Sequence, residues 1–129
     1  MNAEVVCVGS ELLADRVNTD LPIIAGILGS CGVRVCRGQV VGDSRHEIAA
    51  AIREALGRSE IIFVTGGLGP TFDDLTREAV SDVTGREMEF RQEIWDGIVE
   101  RFRRRGMSTP ESNRRQAMVM RGAEVLPNP

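Results

Sequence analysis

The stretch "IIFVTGGLGPTFDDLT", Ile61 to Thr76, joins an apolar run to a turn with three glycines and then to two adjacent aspartates. The continuous apolar run from Ile61 to Thr65 predicts a strand that is covered on both faces. Glycine allows positive φ angles and close approach of the backbone to a ligand, so the turn predicts a site for an anion such as phosphate. The two aspartates would repel an anion, so the ligand must suit both the anion-binding backbone and the carboxylates.

Two more strands and four helices are predicted from hydrophobic periodicity and from residues that start or stop helices. The first strand is "AEVVCVG", Ala3 to Gly9, and the second is "VRVCRGQVV", Val33 to Val41. The predicted helices run from Asn18 to Gly32, from Ser44 to about Arg58, from about Thr76 to Val83 and from Arg91 to Gly106. Because strands and helices alternate over the first three pairs, the order predicts parallel strands and an α/β layer fold.

Four segments predict local details of helix starts, strand formation and burial. Ser44 and Glu47 have the spacing of a capping box, in which each side chain bonds to the backbone of the other. Thr109 and Pro110 predict a further helix start. The segment "AEVLPNP", Ala123 to Pro129, predicts the beginning of another strand. The first helix should bury one face, made of Leu21, Ile24, Ile27 and Leu28.

Composition excludes several classes of function. The 129 residues suit one domain, and the net charge of −3 argues against direct contact with nucleic acid. All 16 basic residues are Arg, which excludes any mechanism that needs a lysine. No run approaches 18 apolar residues, so no membrane span is expected, and the N-terminus lacks the features of a signal peptide. Three cysteines without a CxxC pair indicate reduced thiols, and a cytoplasmic location is expected.

The glycine turn follows the third predicted strand, where ligands of parallel α/β folds commonly bind. It matches neither the dinucleotide fingerprint GxGxxG nor the P-loop. The predicted phosphate-binding segment consists of Thr65, Gly66, Gly67, Leu68, Gly69, Pro70 and Thr71. The alternative is a tight strand-to-helix turn in which Asp73 or Asp74 caps the next helix.

Polar residues also follow the other two predicted strands. Ser10 and Glu11 come after the first strand, Asp43 after the second, and Asp73 and Asp74 after the third. The carboxyl ends of parallel strands meet at one edge of a sheet, so these side chains should approach one another. Carboxylates beside a phosphate site indicate a divalent cation that bridges them to the phosphate. Any one of these acids alone is more often a helix cap.

Three further features have two interpretations each. His46, the single histidine, is either a metal ligand or base, or a solvated residue of a helix start. Trp95 is expected to pack or to form a subunit contact rather than to stack on a base. The basic cluster "ERFRRRG", Glu100 to Gly106, is either a solvated helix end or a contact for phosphate or an acidic partner.

The segments "TGGLGPTFDDLTREAV", "VGSELLADRVNTD" and "VVGDSRHEI" closely resemble the N-terminal domain of the CinA (competence/damage-inducible) family. That domain is similar to the molybdopterin-binding fold of MoaB and MogA. The last 27 residues, "RRRGMSTPESNRRQAMVMRGAEVLPNP", look like the same family, so the resemblance covers essentially the whole chain. It implies a three-layer α/β/α sandwich with a mostly parallel sheet, which commonly self-associates as a homo-oligomer. It also implies one domain, residues 1–129, which continues further in the family, without the deamidase domain of longer members.

The resemblance implies a divalent-metal-dependent hydrolase of a nucleotide-sugar such as ADP-ribose, with Mg²⁺, Mn²⁺ or Co²⁺ and with or without a monovalent cation. The two aspartates essential in pterin-handling relatives match Asp43 and Asp74. In this hypothesis Asp43, Asp73 and Asp74 hold the metal, and Asp74 orients the attacking water. Ser10 contacts the phosphate or the nucleotide, and Glu11 and Asn18 contact the nucleoside or the metal shell. The alternatives are a pterin-binding or adenylyl-transfer role in molybdenum cofactor synthesis, and a non-catalytic binding domain in competence or the DNA-damage response.

Overall fold

A parallel three-stranded sheet forms the centre of the computed structural model, which describes residues 1–128. Its strands are β1 (Asn2–Val8), β2 (Arg34–Val41) and β3 (Ile61–Thr65). The strand order is β2–β1–β3, and Val5 of β1 lies opposite Gly38 on one side and Phe63 on the other. Because β1 is central, the chain that follows it leaves the sheet between the ends of the other two strands.

Four α-helices, two 3-10 segments and a second small sheet make up the rest of the regular structure in residues 1–128. The α-helices are α1 (Asp20–Ser30), α2 (Arg45–Leu56), α3 (Thr76–Thr84) and α4 (Gln92–Arg104). The 3-10 segments are Ser10–Leu13 and Glu111–Ala117. The strands β4 (Met88–Phe90) and β5 (Met118–Met120) pair antiparallel.

The helices cover both faces of the parallel sheet, which confirms the predicted three-layer α/β/α architecture. On one face, α2 and α3 enclose the main core, which includes Val6, Val8, Ile48, Ile52 and Ala79. On the other face, α1 lies against β2, where Leu21 occupies the space above Gly38. Alternation along β1 sends Val6 and Val8 to one layer and Val5 and Cys7 to the other, and all four are buried. Cys7 is therefore a core residue.

Two predicted helix starts differ in detail from the structure. The Oγ of Ser44 accepts a hydrogen bond from the Glu47 amide at 3.4 Å, but the Ser44 amide donates to the Gly42 carbonyl instead of the Glu47 side chain. The capping box is thus half formed. Helix α1 begins at Asp20, two residues later than predicted, although Asn18 still acts as a cap because its Oδ1 accepts from the Leu21 amide at 3.3 Å.

Two predictions about burial were too strong. All of β3 is half-buried, because it lies at the edge of the sheet and is not enclosed on both faces. Ile27 on α1 is 60% exposed, while Leu21, Ile24 and Leu28 are half-buried. The apolar stripe of α1 is therefore wider than the part of the sheet that it covers.

The C-terminal third departs most from the prediction. The helix start at Pro110 is confirmed, but the segment that follows is the 3-10 helix Glu111–Ala117. The strand expected at Ala123–Pro129 is wrong for residues 123–128, which have no regular structure, and Pro129 lies outside the described residues. The actual strand is β5, which starts five residues earlier in the chain. Within residues 1–128, no helix is long and apolar enough to cross a membrane.

Packing contacts account for the aromatic and basic features around α4. The rings of Phe90 and Trp95 are 6.5 Å apart, and the Arg114 guanidinium lies over both of them. Trp95 therefore packs, as expected, rather than presenting a free ring. At the end of α4, Glu100 accepts from Arg103 at 2.6 Å and from Arg104 at 3.1 Å. These exposed pairs are typical of a solvated helix end, and they lower the pKa of Glu100 to about 2.

Candidate functional site

The glycine turn lies directly across the end of the central strand β1. Gly66 and Gly67 both have positive φ angles, 82° and 64°. A Cβ on Gly66 would collide with the Val8 carbonyl, and a Cβ on Gly67 would collide with the Thr76 hydroxyl. That hydroxyl donates to the Gly66 carbonyl at 2.7 Å, so α3 is tied to the turn by its first residue. Two of the three glycines are therefore required by backbone conformation and by space.

The Asp74 carboxylate is bound inside the turn. Its Oδ2 accepts from the Thr71 amide at 2.9 Å and from the Thr71 hydroxyl at 2.7 Å. Burial works against ionisation, but hydrogen bonds from Thr71 and the Gly69 amide, together with the charge of Arg77, outweigh it and hold the pKa of Asp74 below its usual range. The carboxylate is therefore fixed and ionised at neutral pH.

These contacts rule out the alternative in which an aspartate of the turn caps the next helix. Helix α3 has Leu75 at its N-cap position and no side-chain cap, so neither Asp73 nor Asp74 caps it. The Thr71 amide, which was expected to contact phosphate, already donates to Asp74, and the Gly69 amide also favours the ionised carboxylate. Within the glycine turn, the amides of Gly66, Gly67 and Leu68 are not among the donors to Asp74.

Ser10 and Asp43 link the loops that follow β1 and β2. The Asp43 amide donates to Ser10 Oγ at 3.0 Å, and the Ser10 amide donates to Asp43 Oδ2 at 3.3 Å. The structure thus brings together two predicted site residues that are 33 positions apart. Since β1 and β2 are parallel and adjacent, this link lies at the same edge of the sheet as the glycine turn.

A cavity of about 170 Å³ opens beside the glycine turn. Four predicted site residues, Glu11, Asn18, Thr65 and Gly66, are among those that line it. Arg16 also lines it and was missed, because an isolated arginine in a loop carries no motif. A wider groove of about 350 Å³ lies between β2 and α2 and is lined by none of the predicted site residues.

The expected cluster of three metal-binding aspartates is not pre-assembled. Among residues 1–128, no group of three or more His, Cys, Asp or Glu side chains is close enough to hold a metal ion. Asp74 is turned toward Thr71 and Asp43 toward Ser10, while Asp73 is exposed. His46 is exposed in the first turn of α2, as expected for a solvated helix start.

Three residues around the turn were missed by the sequence analysis. The guanidinium of Arg77 on α3 donates to the Leu68 carbonyl, and that of Arg115 donates to the carbonyls of Thr71 and Asp74. Phe72, at the tip of the turn, is 83% exposed. Phe72 lies within the glycine turn and could have been noticed in the sequence, whereas the positions of the two arginines depend on tertiary structure.

Comparison with known proteins agrees with this fold. A family model described as "Probable molybdopterin binding domain" matches residues 4–126. A CinA-like protein of Parasynechococcus marenigrum is 47% identical over 127 residues, which are 98% of this chain and 30% of the relative. The chain therefore spans about 30% of the length of that curated relative.

Solved structures extend the comparison. The CinA protein of Thermoplasma acidophilum, described as having unknown function, superposes with a TM-score of 0.85 at 33% identity, covering 99% of this chain and 75% of that one. MoaB of Thermus thermophilus superposes with a TM-score of 0.62 at 19% identity, covering 92% and 78%, which shows a shared fold. Fold, turn and family match together define a domain of the molybdopterin-binding class. The chain belongs to this family, and within it to the CinA-like proteins.

Proposed function

We propose that this domain hydrolyses a phosphoanhydride bond in a nucleotide-sugar such as ADP-ribose, with a divalent cation as cofactor. The observation that supports this most is the Asp74 carboxylate, which Thr71 holds in ionised form on the glycine turn. A fixed, ionised carboxylate can orient an attacking water and accept its proton. The water oxygen bonds to phosphorus as the anhydride P–O bond breaks, and the products are AMP and ribose 5-phosphate.

Two regions near the turn would bind different parts of such a ligand. Gly66, Gly67 and Leu68 would face the phosphates, where the backbone can approach closely and where α3 begins nearby. The cavity at Glu11, Arg16 and Asn18 would hold one end of the ligand. At about 170 Å³ it is smaller than a typical pocket for a whole ligand, so the remainder would lie on the surface.

The donor set fits a cation that arrives with its phosphate. Mg²⁺ is usually held by one or two carboxylates together with substrate phosphates and water, so a pre-assembled cage of three acids is not needed. Asp43 and Asp74 are the two carboxylates that we assign to this role, with the exposed Asp73 as a third donor. The cation, when bound, would neutralise charge on the phosphates.

A pterin ligand is the second candidate. It is favoured by the description of the matching family as probable molybdopterin binding, and by the fold shared with a molybdopterin biosynthesis protein of Mycobacterium abscessus, which has a TM-score of 0.62. A pterin phosphate would use the same turn, and Asp43 and Asp74 would again lie beside it. The two candidates differ in whether a phosphoanhydride bond is broken.

The test is AMP release from ADP-ribose by the purified chain with Mg²⁺, Mn²⁺ or Co²⁺, repeated with a chelator. We expect metal-dependent release that falls at least about 100-fold in Asp74→Asn, because a positioned base typically contributes 10²–10⁴-fold. Asp96→Asn removes the same charge from exposed α4 and should keep full activity. Unchanged turnover in Asp74→Asn would refute the mechanism. Molybdopterin binding without AMP release under any metal would favour the second candidate.

A further inference from the structure

Arg115 connects the C-terminal part of the domain to the glycine turn. It lies on the 3-10 helix Glu111–Ala117, 44 residues after Thr71 in sequence. Its Nη1 donates to the Thr71 carbonyl, and its Nη2 donates to the Asp74 carbonyl at 3.0 Å. Nη2 also donates to Glu78 Oε1 on α3 at 2.9 Å. One guanidinium therefore has three acceptors, two of them on the turn.

The two carbonyls bracket the segment that carries the Asp74 carboxylate. Thr71 and Asp74 are also joined by the bonds from the Thr71 amide and hydroxyl to the carboxylate, and the Asp74 amide donates to the Thr71 carbonyl at 3.1 Å. Because a guanidinium is planar and rigid, a fork that donates to both carbonyls fixes their relative position. Arg115 therefore restrains the same four-residue turn from outside.

Glu78 holds the guanidinium in this orientation. Its side chain is 19% exposed and that of Arg115 is 33% exposed, so the pair is screened less than an ordinary surface pair. The other carboxylate oxygen of Glu78 is buried without a hydrogen-bond partner among residues 1–128. Arg115 is the cation that pairs with Glu78 at hydrogen-bond distance, while the charges of Arg77 and Arg45 also act on that carboxylate. The pair helps to keep Arg115 beside the turn.

We infer that Arg115 is a positioning residue for Asp74: it holds the Thr71–Asp74 turn in the conformation that aims the carboxylate. This inference rests on the proposed function for its kinetic consequence, but its structural consequence is independent of the reaction. Loss of the fork should loosen the turn in the ligand-free protein. It should also lower kcat more than it raises KM, because a misplaced carboxylate affects the chemical step while the phosphate contacts at Gly66–Leu68 remain.

Arg114 provides a matched control on the same 3-10 helix. Its guanidinium lies 4.7 Å from the centre of the Phe90 ring and 5.0 Å from that of Trp95, and it pairs with Glu111 at 3.3 Å. Arg114→Gln therefore removes the same charge from the same element and disturbs packing rather than the turn. Arg115→Lys is the conservative variant, because lysine keeps the charge beside Glu78 but lacks a planar fork.

The first measurement is amide hydrogen exchange of residues 71–75 in the ligand-free chain. We expect exchange to be at least about tenfold faster in Arg115→Gln than in wild type, with Arg114→Gln close to wild type over these residues. Equal protection of these amides in wild type and Arg115→Gln would overturn the inference. If Arg115→Gln does not fold by circular dichroism, Arg115→Lys is compared with wild type by the same criterion.

The second measurement is the kinetics of AMP release from ADP-ribose with Mn²⁺. We expect kcat to fall at least about tenfold in Arg115→Gln while KM changes less than about threefold, and Arg115→Lys to recover part of the loss. Equal losses in the Arg114 and Arg115 variants would overturn the positioning role. If the wild-type chain releases no AMP with any metal, the proposed function fails, and hydrogen exchange still decides whether Arg115 holds the turn.

Discussion

Replacement of Arg58 should destabilise the domain through the buried carboxylate of Glu4. Glu4 lies in β1 and is 1% exposed. Its carboxylate accepts from Arg58 Nε at 2.7 Å, from Arg58 Nη2 at 2.9 Å and from the Ser59 hydroxyl at 2.8 Å. The hydrogen bond from Arg58 is the main reason that the pKa of Glu4 lies below its usual range, despite the opposing effect of burial. The native state therefore depends on a charge that has little access to water.

The size of the effect follows from the exposure of the two partners. Removal of one partner of a fully buried pair typically costs about 3–5 kcal/mol, because the other charge is left uncompensated. The Arg58 side chain is 36% exposed, so water can enter where it is removed, and Ser59 continues to donate. We therefore expect Arg58→Ala to lower the free energy of unfolding by about 2–3 kcal/mol at pH 7. That loss leaves a domain of ordinary stability folded.

The dependence on pH has a defined sign. In the wild type the folded-state pKa of Glu4 is depressed, so the stability that it contributes is present above its unfolded pKa and is lost as pH falls through the folded pKa. In Arg58→Ala the main cause of that depression is removed while burial remains, so the pKa of Glu4 should be higher than in the wild type, and protonation relieves the penalty. The cost of the substitution should therefore shrink as pH is lowered from 7 toward 4.

Urea unfolding followed by circular dichroism measures this cost at pH 7 and pH 4.5, in the wild type and in a Glu4→Gln background. Glutamine has nearly the same shape without the charge, so Arg58→Ala should cost less than about 1 kcal/mol there. An equal cost in both backgrounds and at both pH values would refute the reasoning. It would mean that Arg58 stabilises the fold by packing of its aliphatic stem alone.

Two further predictions concern the turn and the glycines. Thr71→Val removes the hydroxyl that donates to Asp74, so the pKa of Asp74 should rise and the acid limb of the AMP-release profile should move to higher pH. An acid limb at the same pH in this variant would show that the limb does not report on Asp74. Gly67→Ala should destabilise by about 1–3 kcal/mol in urea, because its φ is 64° and a Cβ would meet the Thr76 hydroxyl. Gly97→Ala, in α4 with open space around it, should stabilise by about 0.5–1 kcal/mol, and the opposite ranking of the two glycine variants would contradict this account.

Periodicity predicted the central sheet well because its strands are long or strongly apolar. The range of β3, Ile61–Thr65, agrees with the prediction, and the bounds of β1 and β2 lie within one residue of it. The three-residue strands β4 and β5 were missed, since so few residues cannot display an alternation. Residues 123–128 were mistaken for a strand on composition alone, because pairing requires a neighbour that the sequence does not reveal.

The candidate site was predictable where its parts are neighbours in sequence. The glycines and Asp74 belong to one turn, so the sequence alone predicts that they lie close together. The link between Ser10 and Asp43 followed from parallel topology, because both residues come directly after adjacent strands. Arg115 could not be found in this way, since it reaches the turn only through the packing of a distant 3-10 helix.

Asp74 explains why glycines and aspartates share one turn. A Cβ on Gly69 would lie 2.6 Å from Asp74 Oδ2, so the carboxylate occupies the space that a side chain would need. The same oxygen takes up donors that would otherwise bind an external anion, and the charge of Arg77 further favours it. The repulsion suggested by the sequence is thus offset within the turn before any ligand arrives. Asp74→Asn is therefore the informative substitution. It removes the charge, while the amide oxygen of the asparagine can still accept from Thr71. Asp74→Ala would leave these donors without an acceptor and allow a phosphate to bind in place of the carboxylate. A loss of turnover in that variant could then come either from the missing charge or from a changed conformation of the turn.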